Sequence, residues 1–418
     1  MTPNPELEEE VNVHHDFPMP LPSNEDALVG ASGALAAITQ AHSLSDTERE
    51  RLKSSYESIG EFLSEHPFFG GLTVEVHPQG SMAIGTTTKP EGKAEFDVDL
   101  VARLTSSAQR QSAVHLLQQL DEAMGEYAER HDLKVEPKRR CTQVQYANAM
   151  HTDVTPVIDW PSHLEAYGDV AGLVPDRERG EHLGTNPRGY VRFFNDAAAL
   201  LPRFSLMESR QALVKADVLP LPGPSAWAKP LARYVQLFKI HRNLLFAVHP
   251  ELAPTSTFIT TQVALAYADL VRPGAAFQSP VHLLLAIFAK MPEYVSVGYR
   301  DGREHWVLCN PTHRKENLAD RMNSGDRQDA YRQWRARFAQ DVARLSEMYL
   351  PHGAGVNALA TSVQNSFGTR ASKALTDSYA AGAARERANG MTRIYVPAAA
   401  GVASVLPIAA RAHTFFGD

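Results

Sequence analysis

A chain of 418 residues with 44% hydrophobic side chains can hold two ordinary domains or one two-lobed enzyme around a sizeable core. Its net charge of −7 lacks the basic balance needed to grip duplex DNA or RNA through phosphates, so no obligate nucleic-acid activator is expected. Cys141 and Cys309 are too few for a disulfide framework or a zinc cluster, and no apolar run is long enough to span a membrane, so a cytoplasmic protein without a membrane partner is expected.

Residues 1–24 are polar, acidic and proline-containing, and read as a surface extension and not as a signal peptide. Helices are predicted over 27–42 and 46–66; Ser45 followed by Glu48 fits a capping box, and Leu52, Tyr56, Ile59 and Leu63 recur at helical spacing. Strands are predicted over 72–78 and 95–104, then a helix over 108–131 with Val114, Leu117, Leu120 and Met124 on one face. Further strands over 133–136, 140–147 and 150–158 complete a mixed sheet with helices on one side.

Residues 161–189 are rich in Gly, Pro and charge and read as a long loop. Its stretches 175–180 and 184–189 are either a surface excursion or the edge of a substrate cleft. A helix over 190–215 is expected to connect two lobes, and helices over 227–247, 257–271, 279–291, 316–347 and 367–389 form the second. Thr255-Ser256-Thr257 is first an N-cap and second a ribose or base contact. Residues 390–412 read as a strand or extended tail, and His77 and His151 as ordinary strand histidines. The expected division is an extension 1–24, a core 25–215, a helical lobe 216–390 and a tail 391–418.

The chemistry lies in residues 80–99. Side chains alternate along a strand, so Asp97 and Asp99 share one face while Phe96, Val98 and Leu100 share the other. Two neighbouring carboxylates repel unless a cation joins them, and Mg²⁺ takes one or two carboxylates plus water and substrate phosphates. Two such ions roughly 4 Å apart can activate an attacking hydroxyl and stabilise a leaving oxygen. Asp153, inside the apolar run 150–158, is the candidate third carboxylate, with Asp159 at the end of that run as its competitor. Upstream, Gly80-Ser81 follows a predicted strand; glycine admits close approach of a phosphate, and main-chain N–H groups and the Ser81 hydroxyl can hold it. Gly85 and Thr86 extend that turn. Lys239 and Arg242, three apart on a predicted helix, are either a solvated face or a phosphate grip opposite the aspartates.

Gly80 to Asp99 together with Asp153 resembles the polymerase-β-like nucleotidyltransferase superfamily, and the form Gly80-Ser-Met-Ala-Ile-Gly-Thr86 is most similar to the bacterial cGAS/DncV-like enzymes. The resemblance covers roughly residues 45–350. It implies an α/β (α+β) fold, a nucleotidyltransferase core of mixed sheet plus a helical C-terminal lobe, with the active site in the cleft between them. It implies a Mg²⁺-dependent (or Mn²⁺-dependent) enzyme that joins ATP, GTP or other NTPs into a cyclic oligonucleotide second messenger, a dinucleotide first, for CBASS anti-phage defence through an operon-encoded effector. Gly80 and Ser81 then hold the donor triphosphate, Asp97, Asp99 and Asp153 the metal, and Lys239 a phosphate. Asn310-Pro311 with Glu316-Asn317-Leu318-Ala319, and the end His413–Asp418, match more weakly; the latter implies an accessory or conjugating partner at the tail. The rivals are a linear-product, tailing or adenylylating relative and a catalytically silent nucleotide-binding module.

Overall fold

A computed structural model describes residues 24–92, 96–146, 150–208, 227–272, 274–349 and 355–388. The strands β1 (Thr73–Pro78), β2 (Phe96–Leu104), β3 (Lys134–Pro137), β4 (Thr142–Tyr146) and β5 (Met150–Asp159) lie side by side in the order β1-β2-β5-β4-β3. β2 and β5 run parallel from Phe96 opposite Met150 to Leu104 opposite Ile158, and the other pairings in this sheet are antiparallel. A parallel neighbour cannot be reached by a tight turn. The chain between β2 and β5 makes that crossover through a long helix and the β3–β4 hairpin.

Strand alternation decides what this sheet can do. Val98, Leu100, Ala102 and Leu104 of β2, with Val154 and Ile158 of β5, pack against Leu52, Ile59 and Leu63 of α2 (Asp46–Glu65) and Leu116, Leu120 and Met124 of α4 (Ala113–His131). Burying each large apolar side chain contributes about 1.5–3 kcal/mol. The odd-numbered face is thereby turned away from the helices, and it carries the aspartates. The capping box at Ser45 and Glu48 starts α2 as expected. In α4 the buried stripe is Leu116, Leu117, Leu120 and Met124; Val114, expected in it, is 39% exposed because it lies about 110° round the helix from the centre of the buried face.

A second core is helical. α1 (Glu25–Ala41), α5 (Pro187–Ala198), α6 (Pro230–Leu245), α7 (Ser256–Leu270), α8 (Pro280–Lys290), α9 (Gly325–Glu347), α10 (Val356–Phe367) and α11 (Thr369–Ala388) contribute Leu35, Phe194, Phe238, Phe258, Phe288, Trp334, Phe338, Phe367 and Leu375. Phe238, Phe288 and Phe338 meet at centroid distances of 4.7–5.7 Å. α1 and α5, expected within the core 25–215, bury their apolar faces in this helical cluster instead.

Other expectations are corrected. The loop over 161–189 contains a hairpin, β6 (Gly172–Asp176) and β7 (Glu181–Thr185), whose first strand extends the sheet from Ile158 and Asp159. Its turn, residues 177–180, falls within the 175–180 stretch. The helix over 190–215 ends at Ala198, ahead of Pro202, and β8 (Arg203–Phe204) follows, paired with β9 (Ala276–Phe277); residues 209–215 lie outside the described residues. The helix over 316–347 starts at Gly325, since two antiparallel pairs precede it: β10 (Ser296–Arg300) with β11 (Arg303–Val307), and β12 (Cys309–Asn310) with β13 (His313–Asn317). The helix α10 was not expected. The extension before residue 24, the stretch 390–412 and the end His413–Asp418 lie outside the described residues. Among the described residues no helix is long and apolar enough to cross a membrane.

Candidate active site

Asp99 of β2 sits directly opposite Asp153 of β5, and Asp97 opposite His151. Strand spacing puts the first two about 4.8 Å apart at the backbone, with Asp97 about 6.6 Å along β2. Asp97 is exposed, while Asp99 and Asp153 are half-buried. Burial, then the charges of Asp153 and Asp97, push the Asp99 carboxyl up to about 6, with Lys239 pulling the other way. Gln143 of β4 lies across the ladder from Asp153 and donates its Nε2–H to Oδ1 at 2.9 Å. Cys141, just before β4, is half-buried beside the same pair; burial and then the Asp153 charge push its thiol up to about 12. Asp159, the competitor for the third position, is held at the other end of β5 by Arg103 Nε at 2.7 Å.

The turn above the carboxylates requires its glycine. Gly80 has φ +58°, and a Cβ there would run into the Asp99 carboxylate. The N–H of Gln79 bonds the carbonyl of Asp99 at 2.8 Å, which ties the turn to β2. α3 (Gly80–Ala83) is a single helical turn. The turn and the residue after it bolt two cores together: Met82 packs on the sheet cluster and Ile84 belongs to the helical one. Thr87 donates its hydroxyl to Ser81 Oγ at 3.2 Å, so the Ser81 hydrogen is left to point elsewhere. The Thr86 hydroxyl is buried with no hydrogen-bond partner.

The helical lobe reaches this turn through α6. Lys239 is 6% exposed and bonds the Thr86 carbonyl at 3.1 Å, while Gln236 bonds the Thr87 carbonyl at 3.0 Å. Burial and the nearby Arg242 push the Lys239 ammonium down to about 7, against the pull of Asp99 and Asp97. Arg242 is not brought to the carboxylates. Its guanidinium donates to Pro254 O at 2.6 Å, Ser256 Oγ at 3.1 Å and Asn243 Oδ1, which staples the end of α6 to the start of α7. Thr255 caps α7 as first expected. Asn310 and Asn317 build a turn: Asn317 Oδ1 accepts from Leu308 and Ala319 N–H, and Asn310 Oδ1 from Thr312 N–H. Thr87, Gln143 and Gln236 were missed by sequence reasoning. The run Thr86-Thr87-Thr88 after Gly85 was a visible signal for the first, and strand alternation opposite Asp153 for the second.

The donor set fits a hard divalent cation. Three carboxylates crowd one face, one of them raised by burial and then by its like-charged neighbours. Among the described residues no three His, Cys, Asp or Glu side chains form a preassembled metal cage. An open carboxylate set suits Mg²⁺, which retains waters and takes substrate phosphates, better than an ion bound by protein alone.

The family model for the Second Messenger Oligonucleotide or Dinucleotide Synthetase domain matches residues 34–197, which include the turn and all three aspartates. A protein described as a c-di-GMP synthase, from Roseivirga ehrenbergii, is 32% identical over 287 residues, covering 68% of this chain and 71% of that protein. The cyclic dinucleotide synthase CdnG of Bradyrhizobium diazoefficiens is 26% identical over 87% of this chain and 89% of its own length. The solved structure of that CdnG in complex with GTP superposes with a TM-score of 0.59, covering 86% of this chain and all of CdnG. The Vibrio cholerae DncV cyclic AMP-GMP synthase, solved with nonhydrolyzable GTP, gives a TM-score of 0.51 at 16% identity over 84% of this chain and 88% of its own, a likeness of fold.

Proposed function

This chain belongs to the cGAS/DncV-like nucleotidyltransferases, and from that premise we propose that it joins two NTPs, GTP among them, into a cyclic dinucleotide at the Asp97/Asp99/Asp153 face. The observation that carries the proposal is the register: Asp99 opposite Asp153, with the left-handed Gly80 turn packed directly on Asp99. Guanine nucleotides are favoured by the names of two relatives, the c-di-GMP synthase and CdnG with GTP.

Each residue has a part. The Ser81 hydroxyl, oriented by Thr87, and the main chain of the Gly80 turn hold the donor triphosphate. Lys239 fixes the turn through Thr86 and sets a positive charge beside the phosphates. Asp97, Asp99 and Asp153 would hold Mg²⁺, or Mn²⁺ in its place, and the bound cation would supply Lewis-acid stabilisation of the transferring phosphoryl group. Gln143 keeps Asp153 in position. An acceptor ribose hydroxyl gives up its proton to the Asp153 carboxylate and forms the O–P bond at the donor α-phosphate, while the bond from that phosphorus to pyrophosphate breaks. A second, equivalent transfer closes the ring. The product then serves anti-phage defence in the cytoplasm through a separate effector.

The test is incubation of the purified protein with all four NTPs and Mg²⁺ or Mn²⁺, with products read by mass spectrometry after phosphatase treatment. A phosphatase-resistant cyclic dinucleotide containing guanine is the expected result. Linear, phosphatase-sensitive chains alone would overturn the cyclisation, and product from both Asp97→Asn and Asp99→Asn would overturn the site.

A further inference from the structure

Residues 86–92 follow the Gly80 turn on the way to β2, and elements of both cores hold them. From α6, Lys239 and Gln236 bond the Thr86 and Thr87 carbonyls. From the end of α1, the His42 carbonyl accepts the Lys89 N–H at 2.7 Å, and from α2, Glu48 pairs with the Lys89 ammonium at 2.7 Å. The last grip comes from sequence nearly three hundred residues away. Glu91 Oε1 accepts the main-chain N–H of Arg370, in the first turn of α11, at 3.1 Å, and lies 3.1 Å from His42 Nε2. The Arg370 guanidinium also reaches the Pro90 carbonyl at 3.4 Å.

This contact is shaped for its purpose. Gly368, between α10 and α11, has φ +92°, and a Cβ there would strike the Glu91 carboxylate, so glycine is required twice over. A carboxylate at the first turn of a helix meets unsatisfied N–H groups and the positive end of the helix dipole. The His42 side chain is 2% exposed, and its Nδ1 faces the Ile38 carbonyl at 2.9 Å. A carbonyl only accepts, so Nδ1 carries a hydrogen and the ring is oriented with Nε2 towards Glu91, to which Nε2 donates when the ring is doubly protonated.

We propose that Glu91 is a positioning residue for nucleotidyl transfer: it latches the segment behind the Gly80 turn onto α1 and α11, and so fixes Ser81 and Gly80 over Asp99. The latch rests on the assignment of the Gly80 turn and the aspartates made above. The turn is short and both its ends are tied, so a shift of residues 86–92 passes directly to Ser81. Displacements of about 1 Å in such a constellation cost up to about a hundredfold in rate. The effect therefore falls on kcat more than on KM.

The experiment is steady-state kinetics with GTP, binding of a nonhydrolysable GTP analogue, and thermal unfolding, on full-length Glu91→Ala, Glu91→Gln, Glu91→Asp and Gly368→Ala. Expected are a fall in kcat of about tenfold or more for Glu91→Ala and Gly368→Ala, with KM and analogue binding within about threefold. Glu91→Gln should retain kcat within about threefold, because its amide oxygen can take the place of Oε1 and still accept the Arg370 N–H. Wild-type kcat in folded Glu91→Ala, or an equal loss in Glu91→Ala and Glu91→Gln, would overturn the latch. If Glu91→Ala fails to fold, the comparison of Glu91→Asp, one methylene too short, with Glu91→Gln decides: equal kcat values overturn the proposal. Loss of product in Asp99→Asn alongside unchanged Glu91→Ala would reject the latch and leave the site standing, whereas active Asp97→Asn and Asp99→Asn would remove the premise of both.

Discussion

Two carboxylates in one sheet, Asp99 and Asp176, are both withdrawn from water and end in opposite electrostatic states. Asp99 is pushed up to about 6 by burial and by Asp153 and Asp97. Burial acts on Asp176 in the same direction, yet hydrogen bonds from Arg140, the Arg179 N–H and Arg139 hold its carboxyl down at about 2. Asp176 closes the β6–β7 hairpin, with Arg139 and Arg140 Nε both at 2.8 Å from Oδ2 and the Glu178 and Arg179 N–H groups at 3.1 Å from Oδ1. One carboxylate has its counter-charges built in, and the other is left under-compensated. A deficit of that kind costs stability and persists where something bound during function can remove it.

The largest expected effect comes from neutralising the under-compensated member. Asp99→Asn should lower kcat by about 10³-fold or more, with the thermal midpoint unchanged or raised, since removing one like charge relieves repulsion. Product formation by mass spectrometry and a melting curve on the same sample check both halves. A destabilised protein would mean that Asp99 is structural, like Asp176. The converse holds for Asp176→Asn. It should leave chemistry near wild type while costing about 2–3 kcal/mol in urea unfolding, from charge-assisted hydrogen bonds lost in a buried site.

Adding the missing charge sharpens the contrast further. Millimolar Mg²⁺ should raise the wild-type midpoint by about 2–5 °C through binding to the native state, and should do so much less in Asp99→Asn. An equal rise in both would place the ion elsewhere. For Asp176 the variable is pH. A folded pKa of about 2, below the ordinary 3.8, means that its stabilisation is present above about pH 4 and is lost as pH falls from there towards 2. Urea unfolding of wild type and Asp176→Asn should therefore differ at pH 5 and converge towards pH 2; a constant gap across that range would refute the ion-pair account.

The same contrast shows what was legible in sequence. Asp97, Asp99 and Gly80 could be read because strand period and glycine chemistry are local: two positions fix a face, and one φ fixes a residue type. Leu117, Leu120 and Met124 followed from helical spacing, and the register of Asp153 against Asp99 agrees with the strand placed around it. What was missed depends on distant partners. The β6–β7 hairpin carries Pro175 and glycines at its ends, so its composition reads as loop, and it is held by Asp176 and two arginines from another hairpin. Arg242 looked like a phosphate ligand because helical spacing puts it beside Lys239, but the chain that follows α6 folds back and occupies its donors with Pro254 and Ser256. α1 stands first in sequence, yet α6, α9 and α11 supply the apolar surface that it covers. Packing between segments far apart in the chain leaves no local periodicity to read.

The smallest effect tests how finely the under-compensated site is tuned. Thr87 touches neither the aspartates nor, in the proposed mechanism, the phosphates; it supplies one hydrogen bond, at 3.2 Å, to Ser81 Oγ. Thr87→Val keeps the shape and removes the donor. A neutral hydrogen bond of this kind contributes about 0.5–1.5 kcal/mol, so kcat/KM should fall by about threefold to tenfold with little change in thermal midpoint. Ser81→Ala should cost more, because it removes the group that meets the phosphate as well as the bond that aims it. In the double variant the Thr87 substitution should add almost nothing, since with no hydroxyl at position 81 there is nothing left to orient. Additive losses would mean that Thr87 acts by another route, and that the turn is held by Lys239 and the main chain alone.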